Sequence, residues 1–331
     1  MKPVLAIFIG EATGIGPEIV AKLCAENRLK THCRPVLVGD VRVLDRGARA
    51  AGVNFPYTVV GDVDEIDWEG PVAILDLANL DPTTVKAGEF NPASGKITGE
   101  SLIMITELLK QGKVEGLTYA PLNKQAMQRG GHDFSGDFHF FSHYLGKGEL
   151  SGEMNFLNNL WVSRVTSHIP LAQVAESLTQ DNVLKAITLA HQTISRAGCT
   201  SPRIAVAALN PHNGEGGLCG REEIDIIAPA VRAARADGME AVGPFSADTI
   251  FINAFRGDYD AVITMFHDQG HIAMKIMGFQ FGVTIHAGLP YPVTTPAHGT
   301  AFDIAGQGVA KIDATEQAII VASRMAAKNA K

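Results

Sequence analysis

A chain of 331 residues, 46% hydrophobic and 19% charged, has the length for two domains sharing a cleft and the composition of a well-packed globular protein. Its net charge of −7, with no basic block, argues against nucleic acid and anionic membranes as partners. Four cysteines without C-x-x-C spacing suit a reduced cytoplasm, and no apolar run reaches the length of a membrane span.

The opening residues 4–9 read as a buried strand. They meet Gly10-Glu11-Ala12-Thr13-Gly14-Ile15-Gly16-Pro17-Glu18 where a signal peptide would need a small-residue cleavage site. That stretch reads as a glycine-rich turn opening a helix, with Pro17 suited to its first turn and Glu18 to its positive end. The glycines match neither a dinucleotide fingerprint nor a P-loop, so the turn is expected to line a cleft. A second strand follows at 35–38, then a helix over 41–51 with Asp40 as cap and Gly52 as stop. Residues 72–77 form another strand. Residues 79–94 show no clear period and read as an excursion ahead of a helix at 99–112. A strand at 114–119 leads to a helix beginning at Pro121-Leu122-Asn123-Lys124.

The stretch 132–143, rich in aromatics and histidines, reads either as a substrate-facing loop or as an amphipathic helix start packed at an interface. Helices are expected over 171–177, 179–197 and 221–237, the last stopped by Gly238. Residues 243–249 read as a loop in which Asp248 either caps the helix through Phe255 or serves catalysis. Alternation of strand and helix argues for an α/β fold with mainly parallel sheets.

Three strands end in the same way. Residues 261–266 stop at His267-Asp268-Gln269-Gly270. Residues 160–165 lead through Thr166-Ser167 to His168-Ile169-Pro170, and residues 204–209 lead to Asn210-Pro211-His212-Asn213-Gly214-Glu215-Gly216-Gly217. In an open α/β sheet the carboxyl ends of strands form the ligand crevice. Three imidazoles delivered there suit a divalent metal that keeps positions open for substrate or water. His271 and His286 lack that placement and read as core or rim residues. Lys275, two helical turns past His267 amid Ile272, Met274 and Ile276, suits a substrate carboxylate or phosphate.

Gly14-Ile15-Gly16-Pro17-Glu18, Thr166-Ser167-His168-Ile169-Pro170, Leu209-Asn210-Pro211-His212, Gly214-Glu215-Gly216-Gly217, Ala247-Asp248-Thr249, His267-Asp268-Gln269-Gly270 and His298-Gly299-Thr300-Ala301 together resemble the motif series of the 4-hydroxythreonine-4-phosphate dehydrogenase family, in order and over nearly the whole chain. The resemblance implies a two-domain isocitrate/isopropylmalate dehydrogenase-like fold with a cleft between the domains and an active site shared across a homodimer. The expected division is 1–130 with 296–331 against 131–295. It also implies His168, His212 and His267 as metal ligands, and His298, Gly299, Thr300, Ala301 and Asp303 as the loop that binds the adenosine of NAD or NADP.

The chain departs from the family at the substrate. Typical members read Gly-His-Thr where this chain has Gly136-Asp137-Phe138, and the family's asparagine and arginine fall at Thr284 and Val293, while its lysine is kept as Lys275. Loss of cationic groups from a pocket built for an anion points away from the usual phosphorylated substrate. A branch that oxidises terephthalate cis-dihydrodiol similarly carries His-Asp-Gln-Gly-His, as at 267–271. The implied reaction is NAD-dependent oxidation of a small β-hydroxy acid followed by decarboxylation. Asp248 and Asp268 are candidates for proton transfer or for orienting His267. All-imidazole ligation favours zinc, with cobalt, nickel or magnesium as the other candidates. The alternatives are the ordinary vitamin B6 reaction, a cis-dihydrodiol carboxylate dehydrogenase of aromatic catabolism, and a non-catalytic metal or nucleotide sensor.

Overall fold

The structure is a computed structural model, and it describes residues 1–329. The chain forms two compact units, Met1–Lys147 together with the chain from Val283 onward, and Gly148–Gly282. Both boundaries differ from those expected, because residues 131–147 and 283–295 join the first unit.

The first unit begins with β1 (Val4–Phe8), α1 (Gly16–Ala25), α2 (Arg28–His32), β2 (Arg34–Gly39) and α3 (Val41–Ala51). The Asp40 carboxylate caps α3 by accepting from the Arg42 amide at 3.0 Å, and Gly52 ends the helix with φ 66°, as the residue pattern predicts. Next come β3 (Tyr57–Val60), β4 (Val72–Asp76) and α4 (Pro92–Lys110), which starts seven residues earlier than the apolar pattern suggests. Asn91 accepts from the amides of Ala93 and Ser94 at 2.9 and 3.1 Å, and Pro92 needs no donor in the first turn, so the start is set by the cap and not by periodicity. Then follow β5 (Gly116–Tyr119), α5 (Lys124–Arg129), capped by Asn123, and α6 (Asp137–Leu145). The aromatic stretch is therefore helical from Asp137, and Phe140 and Phe141 anchor it in the core beside Tyr119.

The second unit opens with the hairpin β6 (Gly152–Leu157) and β7 (Leu160–Arg164). Asn158 and Asn159 both have left-handed φ, 49° and 65°, which suits the two-residue turn whose twist matches that of the strands. After α7 (Val174–Ser177) and α8 (Gln180–Arg196, capped by Thr179) comes β8 (Ile204–Ala207). The expected helix over 221–237 is a π turn at Glu223–Ile227 running into α9 (Ala228–Ala236); Pro229 has no amide to give the preceding turn, which widens. β9 (Ala241–Phe245) replaces part of the expected loop. Then come α10 (Ile250–Phe255), β10 (Ala261–Thr264) and α11 (His267–Gly278). The chain returns to the first unit with β11 (Val283–Ala287), β12 (Val293–Pro296) and α12 (Asp313–Asn329).

In the first unit the strand order is β3-β4-β2-β1-β5-β12-β11, parallel except for β11 against β12. Apolar clusters lie on both faces, and β1 alternates between them, sending Ala6 and Phe8 into one and Leu5 and Ile7 into the other. The second unit orders its strands β6-β7-β10-β8-β9, parallel except for β6 against β7. There β7, β10 and β8 are parallel neighbours, so the three histidine-bearing segments leave the sheet at one edge.

Candidate active site

In the second unit, side chains of the motifs knit the three strand ends together. The Met265 carbonyl accepts from the amide and hydroxyl of Thr166, at 3.1 and 2.8 Å. Gln269 accepts from the Met265 amide at 2.8 Å and donates to the Ala208 carbonyl at 3.0 Å. Thr166 therefore ties the end of β7 to that of β10, and Gln269 ties β10 to β8. Each bond satisfies a backbone group that the ending strands would otherwise leave unpaired.

His267 opens α11 with its ring held on two sides. Its Nδ1–H donates to Asp268 Oδ1 at 2.7 Å, and the His271 ring stacks on it at 3.9 Å with planes 5° apart. The hydrogen bond leaves Nε2 as an electron-pair donor, the arrangement in which a carboxylate orients a metal-binding imidazole. That bond to His267 also holds the Asp268 carboxyl below the usual range. His271 donates from Nδ1 to the His267 carbonyl at 3.1 Å, and burial, with Arg164 and His267 nearby, lowers its pKa to about 4. It is thus neutral at physiological pH. The His168 ring lies 5.8 Å from that of His267, on a residue with φ 51°.

His212 occupies an unusual backbone. His212, Asn213, Gly214, Glu215 and Gly216 all have left-handed φ, between 48° and 76°. Three of the five are not glycine, so the turn is strained by roughly 1–2 kcal/mol at each of them. Its anchor is Glu223, 3% exposed, whose Oε1 accepts from the amides of Leu209 and Asn210 at 2.8 and 2.7 Å and whose Oε2 accepts from Asn210 Nδ2 at 3.0 Å. His212 donates from Nδ1 to Glu215 Oε2 at 3.1 Å, so it too leaves Nε2 for a ligand. The donor chemistry of His212 and His267 therefore fits a divalent ion. Within one chain His168 and His267 approach each other, and no group of three His, Cys, Asp or Glu side chains among the described residues is placed to hold a metal. The outward turn leaves the His212 side chain 70% exposed.

The other candidates divide between the units. Lys275 is exposed in the last turn of α11; of its expected apolar neighbours only Met274 is buried, while Ile272 and Ile276 are 58% and 79% exposed. Asp248 is exposed and does not cap α10, where Thr249 holds the cap position without a side-chain bond. In the first unit Val293, read as substrate-facing, is 0% exposed within the core and has no surface to offer a ligand. Thr284 is half-buried on β11.

Asp137, in the first turn of α6, accepts from the Tyr119 hydroxyl at 2.9 Å and lies 3.6 Å from Lys124 Nζ. The Tyr119 hydroxyl has one proton and gives it to the carboxylate, so at 2.8 Å it accepts from His286 Nε2–H. Phe138 and Phe141 pack against the His286 ring. Asp137 is thus an acid already partnered by a phenol and an ammonium. In the segment 298–303, His298 donates from Nδ1 to the Gly299 carbonyl at 3.2 Å, and burial lowers its pKa. Gly299 and Asp303 are exposed, whereas Thr300 is buried.

Sequence reasoning missed Glu223, Tyr119, Lys124 and Glu11. Their partners lie up to 167 residues away or depend on which way a turn winds, so no local spacing marks them. Glu11 is fully buried, accepting from the Asn123 amide at 2.6 Å and the Thr13 hydroxyl at 3.0 Å, and burial raises its pKa to about 7. A carboxyl with a raised folded-state pKa contributes stability that is complete below its ordinary value of 4.5 and is lost as pH rises through about 7. Chemical unfolding at pH 5 and pH 8 should therefore show Glu11→Gln gaining on the wild type by about 2.5 kcal/mol as pH rises. A difference that does not change with pH would contradict this.

Comparison with known proteins identifies the family. Residues 31–322 match the family described as pyridoxal phosphate biosynthetic protein PdxA. A Pseudomonas aeruginosa protein provisionally named 4-hydroxythreonine-4-phosphate dehydrogenase 2 is 45% identical, covering 98% of this chain and 97% of its own. The crystal structure of 4-hydroxythreonine-4-phosphate dehydrogenase from Klebsiella pneumoniae is 37% identical, with TM-score 0.86 and 98% of each chain covered. That of a terephthalate 1,2-cis-dihydrodiol dehydrogenase from Burkholderia xenovorans is 30% identical, with TM-score 0.67, covering 97% of this chain and 98% of its own. With its motifs, its α/β architecture and relatives that align from end to end, this chain belongs to the PdxA family of dehydrogenases.

Proposed function

We propose that the chain is an NAD-dependent, divalent-metal-dependent dehydrogenase that oxidises and decarboxylates a β-hydroxy acid without a phosphate where its relatives hold one. One observation supports the substrate reading: Asp137, at the position that the family resemblance gives to a histidine, is a carboxylate bonded to Tyr119 and near Lys124. Lys124 and Asp137 offset each other's charge, and Val293 supplies no guanidinium, so a dianion would meet too little positive charge.

The hydroxyl carbon loses hydride and the hydroxyl loses its proton; the bond from the α-carbon to the carboxylate then breaks, giving carbon dioxide, and the α-carbon takes up a proton. When bound, NAD accepts the hydride and a divalent ion, zinc or another late first-row metal, polarises the oxygen of the reacting carbon. His168, His212 and His267 would hold that ion. Asp268 and Glu215 fix Nε2 of His267 and His212 as the donating atoms. The Lys275 ammonium binds the substrate carboxylate, and the segment from His298 to Asp303 takes the adenosine. We further propose a homodimer that completes the ligand set. Exposed apolar residues occur in both units, among them Val59, Phe90 and Val309 in the first, but three of those in the second, Ile272, Ile276 and Met277, gather on α11 beside His271 and Lys275.

Purified chain with NAD and a divalent metal should turn over an unphosphorylated β-hydroxy acid at least about tenfold better, by kcat/KM, than 4-hydroxythreonine 4-phosphate. Asp137→His should move the ratio toward the phosphorylated acid by a similar factor. Fastest turnover of 4-hydroxythreonine 4-phosphate by the wild type would establish the second reading, the ordinary reaction, which the names of the Pseudomonas and Klebsiella relatives favour. Nucleotide binding with no turnover of any acid would overturn both.

A further inference from the structure

We propose that Glu18 and Lys22 form a clamp that positions the segment from His298 to Ala310 and thereby sets the affinity for the nicotinamide cofactor. The second half of this inference rests on the reading that His298 to Asp303 takes adenosine; the first half does not. Glu18 and Lys22 stand four residues apart on α1, in the order that on a helix surface favours an ion pair with each other. Among the described residues they make none. Each is used instead on the backbone of one distant glycine.

Glu18 Oε2 accepts from the Gly308 amide at 3.0 Å, and Lys22 Nζ donates to the Gly308 carbonyl at 2.6 Å and to the Ala310 carbonyl at 2.7 Å. One peptide residue is therefore held from both ends by charged groups, the stronger class of hydrogen bond. Glu18 is 2% exposed and its Oε1 has no hydrogen-bond partner, so this carboxylate is not explained by its own comfort. Gly308 cannot give way on its far side either. It has φ 71°, and a Cβ there would lie 2.3 Å from the Ala50 carbonyl oxygen at the end of α3.

The segment's other end is fixed by the same turn of chain. The Ile15 amide, just ahead of α1, donates to the Thr300 carbonyl at 3.1 Å, and a Cβ on Gly14 would come within 3.0 Å of Thr300. Between these ties the segment has turns but no helix or strand. Gly299 has no atom within 4 Å of where its Cβ would stand, and Asp303 is exposed. Ordering such a segment in advance removes a backbone entropy cost that a ligand would otherwise bear on binding. The glycine-rich turn thus has a use that needs no phosphate fingerprint: it and α1 are the frame on which the cofactor segment is stretched.

The test uses the full chain with Lys22→Met, Lys22→Arg and Glu18→Gln. Three readouts are amide hydrogen exchange over 298–310 without ligand, NAD binding by calorimetry, and steady-state KM and kcat. Thermal melting checks that each variant is folded. Lys22→Met should speed exchange in that segment about tenfold and weaken NAD binding about tenfold, raising KM for NAD while kcat at saturating NAD stays within about twofold. Lys22→Arg, which keeps the donor, should restore most of both, and Glu18→Gln should show the same pattern more weakly. Unchanged exchange in Lys22→Met, or faster exchange with unchanged NAD affinity, overturns the proposal. A wild-type chain that binds no nicotinamide nucleotide would refute the adenosine reading and with it the affinity half; the exchange result would still decide the clamp.

Discussion

Replacing His267 with alanine is expected to lower kcat/KM by on the order of a thousandfold, about 4 kcal/mol of transition-state stabilisation, with the fold intact. His267 is the most fully oriented of the three candidate ligands. Asp268 holds its Nδ1, the His271 ring covers one face, and the His168 ring stands 5.8 Å away. Asp268→Asn, which keeps an oxygen acceptor but loses the charge, should cost the smaller factor of about 10–100 that is typical of a group acting through a ligand. Steady-state kinetics at saturating metal and NAD, with a melting curve for each variant, would measure both. An alanine variant within tenfold of the wild type would mean that His267 does not serve the reaction.

The second large effect is expected at a residue that touches no ligand. Glu223→Ala leaves the amides of Leu209 and Asn210 without their buried acceptor, at roughly 1–3 kcal/mol each, just where the turn carrying His212 is wound left-handed. A loss of about 3–5 kcal/mol in urea unfolding is predicted, with weaker metal binding measured by chelator competition. Glu223→Gln separates the two contributions. Its one carbonyl oxygen can keep both backbone bonds, which meet at Oε1, while its amide faces the Asn210 amide that Oε2 now accepts from. It should therefore be the milder variant. Wild-type stability in Glu223→Ala would show that the turn holds itself.

The parts of this protein written in local chemistry were legible. Asp40 and Gly52 bracket α3 as their residue types require, and the apolar runs of β7, β8 and β10 placed three histidine segments at one sheet edge. Other local cues were present but outweighed by periodicity. Asn91-Pro92 starts α4, and Asn158-Asn159 closes the hairpin of β6 and β7. What could not be read was geometry that depends on distant partners. Left-handed φ at His212 needs Glu223 to hold the strand end, and the burial of Val293 follows from its pairing with Leu117 across β5. A family position carried over by motif therefore located Val293 in the chain without showing which way it faces. The same limit applies to Asp248, whose cap position is taken by Thr249.

The claim on which the rest depends is that imidazoles from β7, β8 and β10 share one cation. Titration of the metal-free protein with cobalt(II), followed by its visible absorption, tests it directly in the wild type and in His168→Ala, His212→Ala and His267→Ala. One ion per chain with a spectrum of nitrogen donors is expected, and loss of that spectrum in each of the three variants. Undiminished binding with an unchanged spectrum in any one of them would contradict it.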